Sequence, residues 1–265
     1  MDVTARATMR PTRVDGRAAL VELGLTTAFM ATVFTLVRWG IGTMGARATG
    51  TELRIRVIVV SVLVGLVIVG FAASPPGRFS GAHMNPAITV GLFASGSVPA
   101  RRVLPYLAAQ TAGSIAAAAV TRLCWGPAVA ERPVRWAVVQ PGPGWGGLSV
   151  TLAEAATLAV IVAVMCVVAA RRPAWPLVWI VGGLFGLQGA VLGTLTGGSA
   201  NPARQLGPAV FSGEFRLLAA YLIAPVAGGV LAGWATAGVR ARRRARDTGE
   251  RPDHELEGAA LPGLR

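Results

Sequence analysis

The sequence has no lysine, only two cysteines and two histidines among its 265 residues, and only 14% of its residues are charged. Cys124 and Cys166 lie in apolar stretches, without a Cys-x-x-Cys pair or a neighbouring cluster of histidine or cysteine. Neither a disulfide framework nor a metal site is therefore expected. The sequence also shows no nucleotide-binding glycine loop and no Ser/His/Asp or Cys/His set, so we expect no cofactor and no enzymatic activity.

The positive charge of the chain comes from arginine alone. All 25 basic residues are arginines, and the formal net charge is +13. A nucleic-acid-binding protein gathers its cations on one folded face, whereas a membrane protein places them at the ends of apolar spans. Here the arginines flank the apolar runs and 53% of the residues are hydrophobic, so the composition indicates a membrane protein.

Six segments are apolar and long enough to cross a hydrocarbon layer about 30 Å thick, which takes about 20 helical residues. They comprise residues 18–39, 56–74, 103–125, 149–170, 175–195 and 215–239. Two shorter segments, 85–97 and 201–212, follow the second and fifth spans, and each begins with Asn-Pro. Asparagine is a favoured N-cap and proline a favoured first helical residue, so each segment predicts a helix that is too short to cross.

The sequence divides into two similar halves, residues 18–125 and 149–239, which the segment 126–148 joins. Each half has three spans, with a glutamate in the first (Glu22 and Glu154) and an Asn-Pro-Ala segment before the third. Because three is odd, the second half must enter the membrane from the opposite side, which makes the repeat inverted. The predicted fold is an all-α membrane protein with six transmembrane helices and two re-entrant half-helices.

The arginines also predict the orientation of the chain. They are concentrated in the N-terminal segment 1–17, in the loops on the same side and after residue 240. Positively charged loops favour the cytoplasm. Both termini are therefore expected to be cytoplasmic, with 126–148 extracellular, in a protein of the inner or plasma membrane. The charged segment 240–265 is expected to be a disordered tail.

The paired half-helices predict a polar cavity at the middle of the membrane. Non-helical backbone survives at that depth only inside protein or beside water. Two helix N-termini that face one point create a positive potential there, which disfavours cations and protons. The amides of Asn85 and Asn201 can donate to a passing oxygen atom while their side-chain carbonyls bind local backbone. Small neutral solutes fit such a site.

The stretches SGAHMNPAITVG and TGGSANPARQLGPAV, together with the six spans and the two glutamates, resemble the major intrinsic protein family of aquaporins and aquaglyceroporins over residues 18–239. The resemblance is closer to the nodulin-like and related bacterial branch. It implies an aquaporin-like fold, a homotetramer with one pore per subunit, and passive conduction of water, glycerol, urea or metalloid acids. The pore motifs that it assigns are Asn85, Pro86, Ala87, Asn201, Pro202 and Ala203.

The same resemblance implies a selectivity filter of four residues. Three of them are Arg204, Gly198 and Gly189. The fourth, in the second span, is Val64 if one residue is inserted before the first motif and Gly65 if none is. Such a ring would be wide, because glycine has no side chain, although Gly189 equally suits close helix packing.

Other polar residues allow more than one interpretation. By resemblance, Glu22 and Glu154 accept hydrogen bonds from the motif loops and hold them; the alternative is a proton relay in a coupled secondary transporter. His83 is either a pH sensor or a hydrogen-bonded loop residue. Gln205 stands where glycerol-conducting relatives usually have aspartate, which counts against an orthodox glycerol facilitator. A non-conducting membrane scaffold is the third alternative for the whole protein.

Overall fold

The computed structural model describes residues 12–44 and 49–248, and every regular element in those residues is helical. Nine α-helices occur in this part of the chain, and two short 3-10 turns, Gly126–Val129 and Arg135–Ala137, lie between the fifth and the sixth. The helices are α1 Arg13–Gly40, α2 Gly50–Ala73, α3 Pro75–Ser80, α4 Pro86–Ala94, α5 Ala100–Trp125, α6 Gly147–Arg171, α7 Leu177–Leu192, α8 Pro202–Ser212 and α9 Leu218–Thr248.

Five of these helices, α1, α2, α5, α6 and α9, are long and apolar enough to cross a membrane. Large apolar side chains point outward from them, and Leu66, Leu152 and Ile223 are each more than half exposed. Apolar surface of this kind is unfavourable in water but suits contact with lipid. The predicted all-α membrane fold is confirmed.

The predicted fifth span, 175–195, is shorter than expected. Its helix, α7, has 16 residues, which at 1.5 Å per residue is about 24 Å, less than the hydrocarbon layer of about 30 Å. Pro176 precedes the helix, and Gly193 caps its C-terminus. The helix therefore ends at Leu192, and a non-helical segment connects it to the second motif at Asn201.

Both ends of the helical region differ from the sequence-based expectation. Residues 240–248 belong to α9 and are not part of a disordered tail, while 249–265 lie outside the described residues. Arginine is a good helix former, which is why a basic segment can extend the last helix. In the N-terminal segment 1–17, α1 already begins at Arg13, where Thr12 and Asp15 form a capping box.

A short helix that the sequence did not predict, α3, separates α2 from the first motif. Ser74 caps it by accepting a hydrogen bond from the Gly77 N–H at 3.1 Å, and Pro75 occupies its first position. Gly81 ends it with a φ of 98°, in the left-handed region that glycine tolerates. This helix of 6 residues forms part of the connection between α2 and Asn85.

The half-helices α4 and α8 begin at the two Asn-Pro pairs, as predicted. The Asn85 side-chain oxygen accepts from the Ala87 N–H, and that of Asn201 accepts from the Ala203 N–H, both at 2.9 Å. With 9 and 11 residues, the two helices are about 14 Å and about 17 Å long. Each therefore reaches only partway through a membrane.

The helices pack as two interlocked copies of one unit. α1 packs along α5 and α6 along α9, while α4 packs on α9 and α8 packs on α5. α2 and α7 contact each other closely, because a Cβ on Gly65 would lie only 2.6 Å from the Gly182 carbonyl oxygen. Since each half-helix packs on a helix of the other half, the two half-helix tips are brought together.

Candidate functional site

The N-terminal ends of α4 and α8 meet each other. The side-chain amide of Asn85 donates to the Ala200 carbonyl oxygen, and that of Asn201 donates to the Met84 carbonyl oxygen, each at 2.9 Å. The asparagines are 2% and 5% exposed. Each amide nitrogen has a second N–H, which finds no further acceptor in the described part of the chain. That N–H is available to a molecule beside it.

The residue before each asparagine has a left-handed backbone. The φ angle is 46° at Met84 and 45° at Ala200, values that residues other than glycine rarely adopt. This conformation turns each carbonyl toward the asparagine of the other loop and each N–H toward a glutamate. The Met84 N–H donates to Glu22 at 2.8 Å, and the Ala200 N–H donates to Glu154.

Glu22 is fully buried and holds the first loop. One carboxylate oxygen accepts from the Ser80 hydroxyl at 2.8 Å and from the His83 N–H at 2.9 Å. The other accepts from the Met84 N–H at 2.8 Å and from the Gln110 amide at 2.9 Å. A buried carboxylate is costly unless it is hydrogen-bonded, and these four donors compensate it.

Glu154 occupies the equivalent place behind the second loop and is also fully buried. It accepts from the Thr196 hydroxyl at 2.8 Å, from the Ser199 N–H at 3.3 Å and from the Ala200 N–H. The Tyr221 hydroxyl donates to the Thr196 carbonyl and so braces the same turn. Each glutamate thus binds the backbone of one loop.

A cavity of about 550 Å³ passes the two asparagines. Along α2 its wall extends from Leu53 to Ala72, which corresponds to about 29 Å at 1.5 Å per residue. Asn85, Asn201 and Arg204 contribute polar groups to a wall that is otherwise largely apolar, and neither buried glutamate lines it. The cavity therefore runs along nearly the whole of α2.

Arg204, directly after the second motif, lines this cavity. Its guanidinium donates to the Ala137 carbonyl oxygen at 2.6 Å and forms no ion pair in the described residues. Three successive residues with left-handed backbone present that carbonyl: Arg135, Trp136 and Ala137 have φ angles of 41°, 51° and 55°. Because a guanidinium has five N–H donors, most of them remain free to bind a molecule in the cavity.

The α2 residue that contacts Gly189 is Ser61. A Cβ on Gly189 would lie 2.6 Å from the Ser61 hydroxyl oxygen. Val64 lines the cavity about one turn further along α2, and Gly65 packs against α7 instead. Of the two alternatives for the second-span filter position, Val64 therefore lies on the cavity wall and Gly65 does not. The contact between Ser61 and Gly189 has no signal in the sequence.

Both predicted filter glycines line the cavity. Gly198 has a φ of 61°, and a Cβ added to it would lie 3.3 Å from the Gly189 Cα, so the two glycines are adjacent. Gly189 also contacts α2 through Ser61. Gly189 therefore both lines the cavity and packs against α2. Its interpretation as a filter residue and its interpretation as a helix-packing residue are compatible.

Gln205 faces the connecting loop and does not line the cavity. It is fully buried, accepts from the Val139 N–H at 2.9 Å and donates to the Val139 carbonyl at 3.1 Å. Val139 lies two residues after Ala137, whose carbonyl binds Arg204. Gln205 therefore holds the loop that positions the Arg204 side chain.

His83 lies on the cavity wall, where its neighbours restrain it. Its Nδ1 is 3.0 Å from the Thr89 hydroxyl, and its ring meets the edge of Tyr106 with centroids 5.2 Å apart. The Gln110 amide donates to the same Thr89 hydroxyl at 3.0 Å. These contacts favour a hydrogen-bonded loop residue over a freely titrating sensor.

Comparison with known proteins identifies the family and the fold of the chain. Residues 16–236 match the family model described as "Major intrinsic protein". The chain is 34% identical over 178 residues to aquaporin NIP1-4 of Oryza sativa subsp. japonica, covering 67% of this chain but only 61% of that protein. It is 31% identical over 214 residues to Aquaporin Z of Rhodopseudomonas palustris, covering 78% and 89%. The crystal structure of the aquaglyceroporin from Plasmodium falciparum shares the fold, with a TM-score of 0.67 at 18% identity over 88% of this chain and 98% of that one.

Proposed function

Because the chain belongs to the major intrinsic protein family, we propose that it is a passive channel through which water and small neutral solutes cross a membrane. The observation that carries the proposal is the cavity along α2, which passes both asparagines and Arg204. A solute that loses its hydration shell needs replacement hydrogen bonds along its path. The amides of Asn85 and Asn201 and the guanidinium of Arg204 provide these hydrogen bonds. The apolar wall between these groups does not bind the solute tightly, so the solute can move on.

Cations are excluded where α4 and α8 meet. Each helix N-terminus carries about half a positive charge from its aligned peptide dipoles. Arg204 adds a full positive charge to the same cavity, and an arginine and half-helix dipoles act in this way in aquaporin-type pores generally. A neutral solute approaches with its oxygen atoms, whereas a cation or a hopping proton meets like charge.

Solutes larger than water pass through the same channel. The bore depends on the side chains that protrude into it, and Gly189 and Gly198 have none. Ser61, which contacts Gly189, contributes only a hydroxymethyl group to the wall. Glycerol, urea and undissociated metalloid acids therefore fit this channel, in addition to water.

Four copies of the chain assemble, each with its own pore, as the family resemblance implies. The channel resides in the inner or plasma membrane.

Both termini of the chain lie in the cytoplasm. The orientation is supported by the arginines at the side where α1 begins and α9 ends. There Arg101 and Arg102 bind Asp15 at 2.8 and 2.6 Å, and Arg240 donates to the Ser95 carbonyl. Arginine-rich ends favour the cytoplasm.

A proton-coupled transporter is the main competing function, and the two glutamates argue against it. A relay carboxylate must exchange protons with the transport path, but Glu22 and Glu154 bind loop backbone and do not line the cavity. Stopped-flow light scattering of proteoliposomes tests the proposal directly. Permeability to water, glycerol, urea and boric acid should exceed that of empty liposomes; no increase for any of them would leave only the scaffold alternative.

A bulky side chain at Gly189 should narrow the channel once the Ser61 side chain is removed. A side chain at this position would meet the Ser61 hydroxyl, so the informative variant is Gly189→His in a Ser61→Gly background. We expect glycerol permeability to fall at least about tenfold, while water permeability falls less, because a bulky ring blocks the larger solute first. Stopped-flow swelling rates measure both.

The matched control for this variant is Ser61→Gly alone, which removes a side chain without adding one. It should conduct glycerol at least as well as the unaltered protein. Its free energy of unfolding should fall by about 0.5–1 kcal/mol, because glycine is unfavourable within a helix. If the histidine variant conducts glycerol as well as this control, Gly189 does not border the narrow part of the channel.

A further inference from the structure

Gln188, on α7, is a buried polar side chain without a hydrogen-bond partner. It is 8% exposed, it lines the cavity, and its Nε2 finds no partner in the described part of the chain. Thr26 and Trp136 each have a similarly unpartnered atom, but neither residue lines the cavity. A buried amide donor without an acceptor is unfavourable, so this position requires an explanation other than stability.

The amide of Gln188 lies beside the two glycines of the cavity wall. A Cβ on Gly198 would lie 3.3 Å from the Gln188 Nε2, and Gly189 is the next residue in the chain. The amide nitrogen therefore lies next to the position that a side chain on Gly198 would take. Gln188 thus places a primary amide beside both glycines of the cavity wall.

We propose that Gln188 is a specificity-determining residue of this channel, whose amide turns into the cavity and exchanges hydrogen bonds with the passing solute. This inference rests on the proposed channel function. A primary amide offers two donors and an acceptor on neighbouring atoms. It selects solutes that carry both kinds of group close together, such as polyols, urea and undissociated oxyacids. A water molecule needs fewer hydrogen bonds, so water permeability depends less on the Gln188 amide.

The test is Gln188→Met, which keeps the length of the side chain and removes its hydrogen-bonding groups. Stopped-flow swelling of proteoliposomes should show glycerol and urea permeability reduced about 3- to 10-fold, the effect of one lost hydrogen bond, with water permeability reduced less than about twofold. Leu187→Met is the matched control, because Leu187 is the neighbouring residue on α7 and is 61% exposed on the outer surface. It should leave all three permeabilities unchanged.

A second readout separates this role from a structural one. Because the amide has no partner, Gln188→Met should melt at the same temperature as the unaltered protein or higher. An unchanged ratio of glycerol to water permeability in this variant would overturn the inference, and so would a marked drop in melting temperature. If the unaltered protein conducts none of the solutes, the proposed channel function itself fails, which is a distinct result.

Discussion

Glu154→Leu is expected to abolish solute flux and to leave little correctly folded protein. The substitution removes the acceptor for the Thr196 hydroxyl and for the N–H groups of Ser199 and Ala200. Each buried donor that loses its acceptor costs about 1–3 kcal/mol, so three together cost roughly 3–9 kcal/mol against a typical total stability of about 5–15 kcal/mol. Without Glu154 the second loop cannot keep the left-handed backbone at Ala200. Thermal unfolding in detergent and stopped-flow swelling would measure the two effects.

The matched control for this variant is Glu52→Leu. Glu52 is likewise a carboxylate on a long helix, but its side chain is 43% exposed and, among the described residues, forms an ion pair with Arg56 alone. Exposed ion pairs contribute about 0–1 kcal/mol, so stability and flux should change little. Should Glu154→Leu melt at the temperature of this control and conduct normally, the hydrogen bonds of Glu154 do not hold the loop.

Asn201→Asp is expected to make the channel leak cations. Aspartate is as good an N-cap as asparagine, so α8 should still begin at the same place, but a carboxylate now lies where two positive helix ends meet. For a monovalent cation passing at about 4 Å, the added attraction is about 4 kcal/mol at an effective dielectric constant of 20. Since about 1.36 kcal/mol changes a rate tenfold, cation permeability should rise by about two to three orders of magnitude. Dissipation of an imposed potassium gradient would record the increase.

Asn201→Ala separates the charge from the lost contact. Both variants lose the hydrogen bond from the Asn201 amide to the Met84 carbonyl, but alanine adds no charge. It should lower solute flux without a cation leak. Because the two loops are arranged alike, Asn85→Asp should reproduce the leak; if neither aspartate variant conducts cations, the asparagines do not lie at the electrostatic barrier.

The features of the site that the sequence revealed are those with local causes. An Asn-Pro pair sets a helix start through its own side chain and ring, so α4 and α8 were predictable. Glu22 and Glu154 were noticeable because a carboxylate within an apolar run requires partners, although their partners became evident only from the fold. The inverted repeat followed from the order of the segments.

Features that depend on distant parts of the chain could not be predicted. Ser61 was missed because its contact with Gly189 arises only from the packing of α2 against α7. The Ala137 carbonyl that binds Arg204 comes from an irregular loop whose left-handed residues are alanine, tryptophan and arginine, and none of these types indicates such a backbone. Gln188 lay in a glycine-rich apolar run, and only the fold shows that its amide lacks a partner.

The most direct test of passive conduction is the steady-state concentration of labelled urea or glycerol inside proteoliposomes under an imposed proton gradient. A passive channel must bring the inner and outer concentrations to equality, at a rate that an uncoupler does not change. We expect that result. Accumulation above the outer concentration that collapses when the uncoupler is added would contradict the account, because a path without coupling cannot concentrate its solute.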